Sequence, residues 1–168
     1  MKIKKLRRMG IFMESNITVY LGGPIRSLNY NEAINWRISV AKYLNDIGIK
    51  CLSPMRGKEL LKDVDKITDS YEDLKGYSSS EIFARDKFDV KRSNILLFNF
   101  LNRKGFVIGS LFELAWGHLL GKYCIVVVEK DSIYAKHPFV KESASIMFGN
   151  LDEAIDYIGA IYGKNNLE

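Results

Sequence analysis

The chain has 168 residues, 47% of them hydrophobic and 27% charged, with two cysteines and a net charge of +5, the size and make-up of one globular domain able to bury a continuous core. No apolar run approaches the roughly 18 residues of a membrane span, the start lacks a signal-peptide core, and Cys51 and Cys124 have no CxxC spacing, so a membrane protein, a secreted protein, a disulfide framework and a zinc site are all disfavoured and a cytoplasmic protein is expected. The positive excess is local: Lys2, Lys4, Lys5, Arg7 and Arg8 fall in residues 1–13 without an acid, leaving 20 basic against 20 acidic residues elsewhere, so no basic stripe for nucleic acid is indicated on the body.

Residues 1–15 thus read as a disordered basic extension, either an arm that touches phosphates or a stretch upstream of Met13, and 16–163 as a single domain. The run Ile17–Leu21 is β-branched and aromatic and ends at Gly22-Gly23-Pro24, a strand entering a tight turn. From Asn29 to Ile47 apolar residues recur at helical spacing, at Ala33, Ile34, Val40, Ala41, Leu44 and Ile47, and Gly48 supplies the stop. Ile49–Leu52 is a second strand, closed by Ser53-Pro54, which makes a β-α-β unit with a right-handed crossover. Residues 55–80 are polar and irregular, a segment long enough to cover a site or to be plain surface loop.

Ser80-Glu81 opens a helix through Ala84, Phe88 and Val90 that ends near Ser93. Residues 94–100 (NILLFNF) form an apolar strand suited to the centre of a parallel sheet. The loop 101–108, with Arg103, Lys104 and Gly105, leads to a helix whose first turn is expected to hold Glu113 and whose end is Gly121. Tyr123–Val128 is a fourth strand, Ser145–Phe148 a short fifth, and Leu151–Ile161 a last helix. This alternation predicts a doubly wound α/β sheet.

Ligands of such sheets bind beyond the carboxyl ends of the strands, where the turn after the first strand, the loop before Glu113 and the segment after the fourth strand should meet. Gly22-Gly23 allows close backbone approach but is neither GxGxxG nor GxxxxGK[ST], so neither a dinucleotide site nor a P-loop is supported. Glu113 stands among Leu111, Phe112, Leu114, Ala115 and Trp116. A carboxylate there is either a helix-terminal charge that favours the dipole, or a desolvated group that needs a partner or does chemistry. Asp86 and Asp89 are either solvated helix charges beside Arg85, Lys87 and Lys91 or acids near the same edge. His118 is five residues from Glu113, His137 is isolated, and no GxSxG occurs, which argues against a metal site and a serine hydrolase.

Taken together, Y-L-G-G-P-I after the first strand, W-R in the first helix, S-P-M-R-G after the second strand, A-R-D-x-x-D before the third, then G-S-L-F-E-L-A-W-G-H-L-L-G-K and H-P-F, over about residues 17–140, resemble the nucleoside 2-deoxyribosyltransferase family, which also includes nucleotide N-glycosidases. The resemblance implies a flavodoxin-like three-layer sandwich with a parallel sheet of about five strands. It implies that Glu113 attacks C1′ of the sugar, that Tyr20 hydrogen-bonds this nucleophile, and that Asp86 assists protonation of the departing base. Substrate contacts are expected from Gly22, Gly23, Pro24, Ile25, Arg26, Arg56, Asp89, Gly109 and Ser110. No cofactor or metal is implied; the partners are a nucleoside or nucleotide and a free nucleobase, with no nucleic acid and no membrane.

Val107 departs from the family pattern, which often has Asp or Ser six residues before the nucleophile to contact the sugar 5′ group, and Asn94 replaces an acid. Phe112, Trp116, Phe139 and Val107 are the apolar candidates for stacking an incoming base, which favours base exchange over hydrolysis of a nucleoside or 5′-monophosphate; a non-catalytic nucleotide-binding module is a third possibility. The family is usually homo-oligomeric, and Trp116 and Phe148 are expected at the contact.

Overall fold

A computed structural model describes residues 17–101 and 107–163. The basic extension and Arg103, Lys104 and Gly105 lie outside the described residues. Five parallel strands, β1 (Thr18–Gly22), β2 (Lys50–Leu52), β3 (Ile95–Asn99), β4 (Tyr123–Val127) and β5 (Ile146–Phe148), form one sheet in the order β2-β1-β3-β4-β5. The helices are α1 (Tyr30–Asp46), α2 (Ser79–Arg92), α3 (Ile108–Leu119), α4 (Ile133–Lys136), α5 (Pro138–Ser143) and α6 (Leu151–Tyr162). This is the expected three-layer, flavodoxin-like arrangement.

Alternation along the strands sorts side chains between two cores. Val19, Leu21, Ile95, Leu97, Ile125 and Val127 meet Val40 and Leu44 of α1 and Ala154, Ile155 and Ile158 of α6 on one face. Tyr20, Leu96, Phe98, Cys124 and Val126 meet Val90 of α2, Leu114 of α3 and Val140 of α5 on the other. The chain leaves β1 for β2 on one side and returns through α2 to β3 on the other, so the strand order reverses at β1, and a crevice opens there between the carboxyl ends of β1 and β3. Local signals set the helix limits. Asn29 with Glu32, and Ser78 with Glu81, close capping boxes at the starts of α1 and α2, and Gly48, at φ +84°, takes the left-handed conformation that ends α1.

Several expectations are corrected. Helix α3 begins at Ile108, after an N-cap Val107 whose side chain bonds nothing, and has no acid in its first turn; Glu113 therefore sits in the second turn, away from the dipole's end. Helix α2 turns Asp86, Asp89 and Val90 inward and leaves Phe83 and Phe88 more than half exposed, so Phe88 is not a core residue and the two aspartates are not solvated. The short helices α4 and α5 fill the connection between β4 and β5, where no element was expected. Cys124 is buried and Cys51 partly so, both as free thiols. Segment 55–80 holds one 3-10 turn, Glu59–Leu61, and a small core of its own in which Met55, Leu61, Ile67 and Tyr77 pack on Leu28, Tyr30 and Ala33. Reciprocal backbone bonds tie it to the turn after β1: Ser27 N–H donates to Ile67 O and Ile67 N–H to Leu28 O, both at 2.8 Å. Among the described residues no helix is long and apolar enough to cross a membrane.

Candidate active site

A cavity of about 430 Å³ occupies the crevice. Its wall is built by Gly23, Ile25 and Arg26 after β1, by Lys58, Leu61, Ile67, Thr68, Asp69, Tyr71 and Tyr77 of segment 55–80, by Ile82 and Asp86 of α2, and by Ile108, Gly109, Ser110 and Glu113 of α3. That volume falls within the range of small-molecule sites.

Glu113 is 8% exposed. Tyr20, projecting from β1 onto the same face, donates its hydroxyl to Glu113 Oε1 at 2.8 Å across 93 residues of sequence. The other oxygen, Oε2, accepts no hydrogen bond among the described residues and lies against Gly22, where a Cβ would come within 3.3 Å of it and within 2.4 Å of the Phe98 ring. Glycine at position 22 thus makes room for both the strand core and the carboxylate. Burial, with the nearby Asp86 charge, pushes the Glu113 carboxyl up to about 8, against the downward pull of the Tyr20 bond, Arg37 and Lys58. Asp86 is also raised, chiefly by burial, with Lys58 and Arg85 opposing. Its Oδ1 is 3.6 Å from Arg85 Nε, and neither atom has a hydrogen-bond partner among the described residues. Burial raises the Tyr20 phenol well above its ordinary value, so it is a donor at any physiological pH.

Two cations complete the site. Arg37 is buried on α1, where Ala33, Arg37, Val40 and Leu44 share the core face. Its guanidinium donates to Ala33 O, to Leu21 O at 3.1 Å and to Gly23 O at 2.9 Å, and stands 4.5 Å from the centre of the Trp36 ring. Burial draws it down to about 10, which leaves it charged at neutral pH. It pins the turn after β1, and Gly23, at φ +150° and with Asn99 O 2.8 Å from where a Cβ would stand, completes that turn. Lys58 lies in the cavity wall, buried, and burial lowers it to about 8.

Of the residues expected to act on substrate, Gly23, Ile25, Arg26, Asp86, Gly109, Ser110 and Glu113 line the cavity, Tyr20 and Gly22 touch Glu113, and Pro24 lines a separate cavity with Leu28 and Trp36. Arg56 and Asp89 are absent from the lining. They pair with each other at 2.8 Å, and Asp89, fully buried, also takes Arg92 at 2.8 Å. Arg26 pairs with Asp69 at 2.8 Å. The expected apolar lining is displaced too. Val107 is in the core, Phe112 and Phe139 are exposed, and Trp116 packs edge-on against Phe83 with ring centres 5.0 Å apart. Ile25, Leu61, Ile67, Tyr71, Tyr77, Ile82 and Ile108 line the cavity instead.

Arg37 had a sequence signal, a charge at the i+4 position of an apolar helical stripe. Lys58 had none. Among the described residues no group of three or more His, Cys, Asp or Glu is placed to hold a metal ion.

The fold is similar to that of solved structures. A 2-deoxyribosyltransferase of Bacillus psychrosaccharolyticus matches with a TM-score of 0.56 and 19% identity, over 83% of this chain and 91% of its own. A CMP N-glycosidase of Clostridium botulinum matches with a TM-score of 0.51 and 12% identity, over 84% and 97%. The chain has their fold. No protein-family model matches it, and no curated protein sequence does. At these identities the likeness speaks for the sheet and its crevice, and the side chains must speak for the chemistry.

Proposed function

We propose that the protein is a nucleoside 2-deoxyribosyltransferase, an enzyme that moves 2-deoxyribose between nucleobases through a covalent intermediate on Glu113. The observation that carries this reading is the Glu113 carboxylate in the wall of a nucleoside-sized cavity, with one oxygen held by Tyr20 and the other without a hydrogen bond among the described residues. A helix-stabilising Glu would gain from solvent and from the first turn; this one has neither. Once ionised it is an oriented, poorly solvated nucleophile. Its Oε2 attacks C1′, the base departs with a proton from Asp86, and a second base attacks from the vacated side, so the anomeric configuration is retained. A 2′-deoxy sugar eases the oxocarbenium-like transition state and is the expected substrate.

Gly22, Gly23, Ile25, Gly109 and Ser110 are assigned to the sugar and its approach, and the isoleucine and tyrosine wall to the base. Hydrolysis of a deoxynucleoside or 5′-monophosphate is the second reading, favoured by the polar stretch Arg26, Thr68 and Asp69 of the cavity wall, which would hold water. Incubation with thymidine or deoxycytidine, with and without adenine, followed by chromatography, separates the two. Deoxyadenosine formed only with adenine supports transfer, free base released at the same rate with or without adenine means water is the acceptor, and tight binding without turnover means a binding module.

We also assign a contact between copies of the chain to the exposed Phe83, Ile108 and Phe112 around Trp116, next to the cavity residues Ile82 and Gly109. Phe148, the other residue expected at such a contact, is partly buried and packs on Tyr157 with ring centres 5.3 Å apart, so it is not included in this patch. An active monomer in sedimentation would refute the contact.

A further inference from the structure

Lys58 is a charged group in the cavity wall that the transfer scheme leaves unused and that, unlike Arg26 and Asp69, is not paired within the wall. It is 4% exposed, and its ammonium makes no hydrogen bond or ion pair among the described residues. Its backbone is firmly held: Gly57 before it takes φ +75°, Tyr77 donates its hydroxyl to Gly57 O at 2.6 Å, and Lys58 O accepts from Leu61 N–H at 3.0 Å. Burying a lysine side chain this far with no partner for its ammonium among the described residues costs stability. Lys58, Asp86 and Glu113 line the same cavity, and the charge of Asp86 acts on the ammonium more strongly than that of Glu113.

We propose that Lys58 is a leaving-group residue, whose ammonium, in the wall of the same cavity as Asp86, donates a hydrogen bond to the 2-oxo oxygen of a departing pyrimidine and so makes this a site for 2-oxopyrimidine nucleosides. The proposal rests on the glycosyl-transfer reading. When Glu113 Oε2 bonds to C1′, the C1′–N1 bond breaks and its electron pair passes to the base, shared between N1 and the adjacent 2-oxo oxygen. Negative charge thus leaves Glu113, which becomes a neutral ester, and arrives on the base. A fixed cation that is not tied to Glu113 favours that transfer of charge. Lys58 keeps its proton throughout; Asp86 gives its proton to the base and regains one from the N–H of the incoming base. The ammonium has three donors and no acceptor, so it rewards an oxygen next to the glycosidic nitrogen. Purines lack that oxygen and depart mainly through ring-nitrogen protonation.

The test uses the full chain as wild type, Lys58→Met and Lys58→Arg, with 2′-deoxyuridine, 5-fluoro-2′-deoxyuridine and 2′-deoxyadenosine as donors and a fixed excess of free hypoxanthine as the acceptor base. Lys58→Met should lose about 10²- to 10³-fold in kcat/KM on 2′-deoxyuridine, the scale of removing one donor from a developing oxyanion. The loss should be smaller on the 5-fluoro substrate, whose base carries negative charge more easily, and smallest on 2′-deoxyadenosine, while Lys58→Arg recovers part of the 2′-deoxyuridine rate. Equal losses on all three substrates, or none on 2′-deoxyuridine, would overturn the proposal and leave the transferase reading intact. A wild-type protein inert to all three overturns that reading and this proposal with it. If circular dichroism shows that Lys58→Met does not fold, the wild type decides: a preference for 2′-deoxyadenosine over 2′-deoxyuridine refutes the assignment.

Discussion

Replacing Glu113 by Gln should abolish activity and, at alkaline pH, make the protein more stable. The carboxyl is raised from 4.5 to about 8, mainly by burial. Between those values the folded state keeps a proton that the unfolded state gives up, so stability is fully present below 4.5 and is lost as pH rises through about 8. A rise of that size corresponds to at most about 5 kcal/mol. Gln keeps the size of the side chain and can still accept the Tyr20 hydroxyl, but it has no proton to lose, so its stability curve lacks this slope. Urea denaturation from pH 4.5 to 8.5 should show the two proteins nearly equal at the acid end and Glu113→Gln ahead by a few kcal/mol at the alkaline end, of the order set by the linkage. Glycosyl transfer by the variant should fall by several orders of magnitude, because the anionic nucleophile is gone. Parallel pH slopes for the two proteins would refute the buried, proton-holding carboxyl. A folded variant with wild-type turnover would refute its role as nucleophile.

Two further outcomes follow from the contacts of Glu113 and of the turn beside it. Tyr20→Phe removes the 2.8 Å donation to Glu113 Oε1; a bond to a charged group is worth roughly 1.5–3 kcal/mol, so the rate should drop about tenfold to a hundredfold. Because that bond lowers the Glu113 carboxyl, the rising limb of the pH–rate profile should also move to higher pH, and an unmoved limb counts against the contact. Arg37→Met leaves the carbonyls of Leu21 and Gly23 without their buried donor and should cost roughly 2–4 kcal/mol in urea denaturation and, on the proposed function, raise KM, since the turn these carbonyls hold lines the cavity. Unchanged stability would mean that water replaces the guanidinium.

The sequence alone determined the architecture, because strand and helix periods and cap residues are local. The run 17–21 alternates between two faces whatever lies beyond it; Asn29 and Gly48 satisfy or stop a helix through neighbours a few residues away, while the second helix is capped by Ser78, two residues before the expected opening at Ser80. It also marked Glu113 as a carboxylate in apolar surroundings, and the resemblance paired it with Tyr20. The tertiary structure alone decided which charges are buried and what they meet. Asp86 and Asp89 are three residues apart on the inward face of one helix, yet Asp86 reaches the cavity and Asp89 is taken by Arg56 and Arg92. Lys58 reads as loop surface until segment 55–80 folds over the crevice, and the apolar wall comes from that segment with Ile25, Ile82 and Ile108, not from the aromatic residues of α3. Periodicity records which face of an element is apolar. It carries no record of what stands opposite, and the cost of a buried charge, and hence its chemistry, depends on groups that only the folded chain brings within reach.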